Sequence, residues 1–232
     1  MLTFNGVSIE SFPHLMIEDI LVSPIQLTPL VRQRPVRFGA EYVRMSGGQR
    51  TVTVSFALLN PDRYVRSVTM RDIVKWARSA EPGRLCLMDV PGMHLNAVCT
   101  SVPSPSMRQW WEDSLKLVFT AYDPYWTSDD EKTVSCGTAF TVRGSAPPLM
   151  KITRTLSSAA STAQSWSDGT DTITLSQVPA GNLTIDLDTQ TIDVGGTSVM
   201  DKYTFGSSFI RPHVGAMTIT GTGTVAWRER WE

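Results

Sequence analysis

Three histidines, three cysteines and a group of aspartates are the residues of this 232-residue sequence whose types could do chemistry, and their spacing decides which. His14, His94 and His213 stand far apart beside apolar or proline neighbours. A general base needs an orienting partner and a nucleophile within reach, and no local signature supplies them, so each reads as a structural histidine. GxSxG, HExxH and Walker patterns are absent, which leaves a hydrolase the weakest reading. Cys86, Cys99 and Cys136 are odd in number and widely spaced, with neither a CxxC pair nor a metal-ligand rhythm. They are expected to be reduced structural thiols. Asp186, Asp188 and Asp193 invite a calcium reading, but the central glycine and closing glutamate of an EF-hand loop are missing. On a strand Asp186 and Asp188 point the same way, opposite Ile185 and Leu187, so they read as a solvated face. The expectation is a protein with no catalytic residues, no metal and no cofactor.

Tryptophans offer a second kind of chemistry. Trp166, Trp227 and Trp231 could stack a pyranose ring, although Trp227 alternates in phase with Val225, which assigns at least one of these rings to a core. Trp110 falls on the polar side of its strand, where it is either capped by a neighbouring loop or meets a partner. Charge adds a local bias to a chain whose net charge is −1: between Arg32 and Arg84 eleven basic residues face four acidic ones. That segment is a candidate basic face.

The elements that position these residues are mostly strands. "RTVTVSFAL", Arg50 to Leu58, alternates with Val52, Val54, Phe56 and Leu58 on one side. With Gly47 and Gly48 as a turn, Phe38 to Arg44 is its expected hairpin partner, and the pair carries Arg37, Arg44 and Arg50. Thr69 and Asp72 at capping-box spacing, with Val68 and Ile73 as a staple, predict one short helix over 70–79 whose packing face is Ile73, Trp76 and Ala77. Arg71, Lys75 and Arg78 lie off that face as a solvated basic side. "RLCLMDV", "MHLNAVCTSV" and "QWWEDSLKLVFTAY" return to strand, the last with Trp111, Leu115, Leu117 and Phe119 on one face. Asp123 and Pro124 then break the ladder, and acids follow. Beyond Glu131 the composition turns to Thr, Ser and Gly, in short alternating segments punctuated by "PAGN", "GG" and "GTG". This is the signature of an antiparallel β-sandwich. The expected architecture is mainly β with one short α-helix, in two domains, 1–131 and 132–232.

Composition narrows the class. Apolar residues at 41% and charged residues at 19% describe a globular chain. No apolar run is long enough to span a bilayer, so no membrane insertion is expected. The start "MLTFNGVSIESF" lacks a basic and apolar leader, from which synthesis in a cytoplasm is expected.

Several motifs together resemble the distal tail protein family of long-tailed, non-contractile bacteriophages. They are "FNGV" near the start, "GGQRTVTVSF" before the helix, "LCLMDVPG" after it and "FTAYDPYW" closing the first domain. The second half adds "PPLMKI", "LTIDLDTQTIDV" and "FIRPHVGAMTITGTGTVAWRERW". The resemblance covers nearly the whole chain. It implies a viral structural part of the virion, made in the bacterial host: a homo-hexameric ring at the end of the tail tube. The N-terminal, tail-tube-like β-sandwich or barrel domains would close around a channel for DNA, and galectin-like C-terminal β-sandwiches would point outward. The implied partners are the major tail tube protein on one side and the tail-tip or tail-associated protein on the other, with receptor-binding proteins in some members. Pro212, His213, Val214 and Gly215 depart from the Pro-Gly-Asn common in the family's last loop, and the second half carries no long insertion of the kind that brings a carbohydrate-binding module.

A ring needs heterologous contacts that close by rotation, for which strand edges and charged hairpins are suitable material. Arg37, Arg44, Arg50 and Trp110 are therefore the candidate ring or tube contacts, with plain surface as the alternative for each arginine. An attractive lumen would oppose DNA transit, because phosphate neutralisation dominates nucleic-acid affinity. DNA is thus expected to pass without specific binding, and the basic segment to face a neighbouring subunit or an acidic partner. The alternative function is a carbohydrate-binding adsorption module that recognises host polysaccharide.

Overall fold

A computed structural model describes residues 2–33, 40–103 and 115–232. Packing divides the chain into two compact units, Met1–Trp126 and Thr127–Glu232. The N-terminal unit contains β1 (Leu2–Phe4), β2 (Val7–Ser8), β3 (Leu15–Val22), β4 (Leu27–Gln33), β5 (Ala40–Gly47), β6 (Arg50–Leu58), helix α1 (Arg63–Ala77), β7 (Gly83–Leu87), β8 (Met93–Ser101) and β9 (Leu115–Ala121). After β10 (Trp126–Ser128) at the boundary, the C-terminal unit contains β11 (Lys132–Ser135), β12 (Ala139–Val142), β13 (Ala146–Leu156), β14 (Gln164–Ser167) and β15 (Thr172–Leu175). It continues with β16 (Gly181–Asp186), β17 (Thr191–Val194), β18 (Thr197–Ser198), β19 (Gly215–Thr218) and β20 (Thr224–Trp231). The protein is mainly β with one α-helix, and its strand pairs are antiparallel.

In the N-terminal unit β6 lies between β3 and β9, and β9 continues to β8. The alternation along β6 does what its period requires: Val52, Val54 and Phe56 are buried, and across the ladder Leu117 and Phe119 of β9 join them. Helix α1 closes this face with Ile73 and Ala77 buried and Trp76 beside them. The Trp76 ring lies 6.0 Å from Phe4, 5.5 Å from Phe12 and 6.2 Å from Phe119, edge-on to each, so one tryptophan knits β1, the helix and β9.

Two expectations need correction. The helix begins seven residues before Met70, at Arg63, because Asp62 after Pro61 is the true N-cap: its carboxylate accepts the Tyr64 backbone N–H at 2.8 Å. Thr69 is instead a buried residue of the helix interior. The hairpin is also differently paired. β5 pairs with β4, not with β6. Gly48 explains the change, since a Cβ there would sit 2.2 Å from the Gln26 carbonyl oxygen. Gly48 thus lets the chain cross closely over Gln26 from one sheet to the next, where the sequence suggested a tight turn.

The C-terminal unit has two layers around one core. One layer runs β18-β17-β16-β13-β20, with β11 also on β20. The other is built from β14–β15 and β12–β19, joined by a bridge between Ser167 and Thr220. Between them lie Met150, Ile152, Trp166, Ile173, Leu175, Leu183, Ile185, Ile192, Val225 and Trp227, all buried in one cluster. The β13–β20 register shifts between Ala146 and Leu149, at Pro147 and Pro148, which have no N–H to give a ladder.

Candidate assembly surfaces

Of the four candidate contact residues, Arg37 and Trp110 lie outside the described residues. Arg44 stands on β5 at the register position opposite Leu30 of β4. Arg50 opens β6 in phase with Val52, Val54 and Phe56, and it is only 5% exposed. Strand period alone gives this placement, because every second residue from Phe56 backwards shares the core face. The arginine offered to a neighbour by the sequence reading is turned into its own unit.

The exposed basic charge sits elsewhere. Arg71, Lys75 and Arg78 are exposed along α1, spaced to fall on the side away from Ile73 and Ala77; Arg63 is exposed at the first residue of the helix, and Arg66 is buried. Arg32 and Arg84 of the same segment are exposed as well, on other elements.

Apolar surface is concentrated in the N-terminal unit. On β3, Met16 and Leu21 are exposed, Leu21 by 62%. A register shift between Ile17 and Asp19 brings both onto the face opposite Val52 and Val54. On β4 Pro29, Leu30, Val31 and Arg32 are all exposed. Successive strand residues point to opposite faces, so this part of β4 is uncovered on both sides. A two-stranded ribbon with no core of its own is marginal in water, and it gains most from a partner.

The residues that suggested chemistry have structural employment. Trp166 is 1% exposed and its indole N–H donates to the Thr222 carbonyl at 2.8 Å. Trp227 is 6% exposed and packs 4.6 Å from Phe140. Two of the three rings considered as a sugar platform are therefore core, and Trp231 is half-buried. Asp186 accepts the backbone N–H groups of Asp188 at 2.9 Å and Thr189 at 3.0 Å, and Asp193 accepts that of Gly196 at 3.1 Å. These carboxylates cap the turns that end β16 and β17, a role more specific than a solvated face. Among the described residues no cluster of three His, Cys, Asp or Glu side chains is arranged to hold a metal ion. His14 and His213 are exposed and His94 is half-buried on β8, each on a different element. All three cysteines are free and half-buried. Burial pushes the Cys99 and Cys136 thiols above their ordinary value of 9.0, which lowers the thiolate fraction a nucleophile needs. Among the described residues no helix is long and apolar enough to cross a membrane.

Comparison with solved structures places this architecture. The Dit protein (gp 19.1) of phage SPP1, described as a paradigm of the hub adsorption apparatus in phages infecting Gram-positive bacteria, superposes with a TM-score of 0.77. The match covers 100% of this chain and 98% of that one at 13% identity. The chain has the distal tail protein fold. Chains of the phage p2 baseplate in its activated conformation, with strontium and with calcium, superpose at a TM-score of 0.50 and 10% identity, over 94% of this chain and 91% of theirs. No protein-family model matches the sequence, and no curated protein matches it.

Proposed function

We propose that this chain is the structural hub at the distal end of a phage tail tube. Six copies close into a ring through their N-terminal units, leave a channel for DNA, and join the major tail tube protein to the tail-tip proteins. The carrying observation is the full-length match to a tail hub protein, in which both units take part. The surface chemistry supports it. The exposed stretch of β4 and the apolar face of β3 are surfaces that side-by-side copies would bury, and a non-closing version of such contacts would polymerise. The exposed basic stripe of α1 faces an acidic neighbour in this reading and does not line the bore, since a basic bore would hold the DNA it must release.

The C-terminal unit is a galectin-like outward arm in this proposal, carried by the virion. The role proposed is structural and not enzymatic. The purified full-length chain, measured by native mass spectrometry over a range of ionic strength, tests the proposal. A hexamer that weakens as salt rises supports both the ring and the role of the basic stripe. A monomer at every concentration and salt speaks against it.

A further inference from the structure

Two exposed patches of the N-terminal unit carry opposite charge and stand on opposite sides of it. The first is on β3, an edge strand whose one ladder is with β6. Val22, Ile20 and Ile17 stand opposite Val52, Val54 and Phe56, which sets the core face of that ladder. Met16, Asp19 and Leu21 stand opposite Ala57, Ser55 and Thr53, so they share the other face, and Glu18 is the extra residue at the register shift. All four are exposed. The row therefore reads apolar, acidic, acidic, apolar over about 16 Å of strand. Neither carboxylate has an ion pair among the described residues. Lys116 of β9 lies on the same face but across β6 from Asp19, about 10 Å away.

The second patch is on α1. Tyr64, Arg71, Lys75 and the C-cap Arg78 recur at helical spacing on the side opposite Ile73 and Ala77, and all are exposed. The three cations span about 10 Å of axis, and none has an ion pair among the described residues. Asp72 stands about 100° round the helix from Arg71, at the margin of the stripe.

What β3 presents restricts what can cover it. A purely apolar partner would strand the two carboxylates, and water leaves Met16 and Leu21 exposed. Lysine and arginine meet both demands, because their stems lie over apolar surface while their heads reach a charge. Within one chain the two patches cannot meet: α1 closes the core face of the sheet, and the row on β3 points away from it. Contacts between two unlike patches of identical chains are heterologous, the kind that propagates around a ring. We infer that Arg71, Lys75 and Arg78 of one copy dock on Glu18 and Asp19 of the next, their stems covering Met16 and Leu21. This inference rests on the hexamer proposed above and identifies the acidic neighbour of the helix as a second copy of the same chain.

The test reverses one patch at a time in the full-length chain and reads assembly by native mass spectrometry. Arg71→Glu/Lys75→Glu makes both patches acidic, and Glu18→Lys/Asp19→Lys makes both basic. All four positions are exposed, so each variant is expected to keep the parent's melting temperature. Alone, each is expected to raise the concentration for half-assembly about a hundredfold or more, because like charges then face each other at every contact. Mixed in equal amounts, the two are expected to restore rings of three copies of each, since only unlike neighbours attract. The neutral variant Arg71→Gln/Lys75→Gln is expected to flatten the fall of assembly with salt, and it decides the matter if a reversal variant does not melt cooperatively. Parent rings beside reversal variants that assemble alone as the parent does, or that stay apart when mixed, overturn the inference and leave the hexamer standing, as does an unchanged salt dependence in the neutral variant. A parent that is monomeric at every concentration removes the hexamer and the inference together.

Discussion

Among the described residues the N-terminal unit leaves nine large apolar side chains exposed, from Val7 to Tyr122, whereas the C-terminal unit leaves three, Met200, Phe205 and Val214. The C-terminal unit is also the one whose turns are capped by its own side chains, at Asp168, Asp186 and Asp193. Its loops are tied to neighbouring strands and its core is a single closed cluster. The N-terminal unit spends its strands differently, holding out a ribbon and the outer face of β3. The C-terminal unit closes on itself, and the N-terminal unit leaves exposed the surface that the proposed ring would bury.

The sharpest way to break the contrast is to open the closed core. Trp166→Ala removes a buried ring and orphans the Thr222 carbonyl, and is expected to cost about 3–5 kcal/mol. Denaturant titration should show the C-terminal unit unfolding early, while hydrogen exchange in β6 and β9 keeps its protection. A comparable loss of protection in both units would mean they fold as one.

Next in size is the carboxylate of Glu229, buried in β20, which accepts from Lys132 Nζ at 2.7 Å and from the Arg143 backbone N–H at 3.0 Å. Glu229→Ala leaves the amide unsatisfied and is expected to cost about 1–3 kcal/mol by chemical denaturation. In the N-terminal unit Asp62→Ala should cost about 1 kcal/mol by removing the helix cap. If Thr69→Val matched that loss while Asp62→Ala was silent, the start assigned to α1 would be wrong.

The thiols give a pH arm. Cys99 and Cys136 sit above 9.0 because burial disfavours their thiolates, so the folded state keeps a proton that the unfolded chain releases. The stability this represents is complete below the unfolded value and is lost as pH rises through the folded one. Alkylation at pH 8 should therefore be slow in the native protein and fast after unfolding, and stability should fall above about pH 9. The smallest expected effect on the monomer comes from Leu21→Ser, within about 0.5 kcal/mol. The same change should hinder assembly, since Leu21 belongs to the face assigned to a neighbour.

Local periodicity carried much of this fold into the sequence. The inward side chains of β6 and β9, the face of α1, and the succession of short strands after Glu131 are all written in alternation. Trp227 belongs to the core by its phase with Val225, and the same rule applied to the first residue of "RTVTVSFAL" turns Arg50 inward with Val52 and Val54. What the pattern does not contain is pairing: β4 with β5, and β3 beside β6, are set by long-range packing and by the close approach at Gly48. The helix start was obscured because two cap signals compete, and Asp62 after Pro61 prevails over the Thr69 box.

Electron microscopy of the full-length protein with a parallel mass measurement tests the central claim most directly. The account predicts particles of six times the 25.6 kDa chain, with a central hole bounded by the N-terminal units and six peripheral lobes. A monomer at all concentrations, or an assembly without a hole, would contradict it.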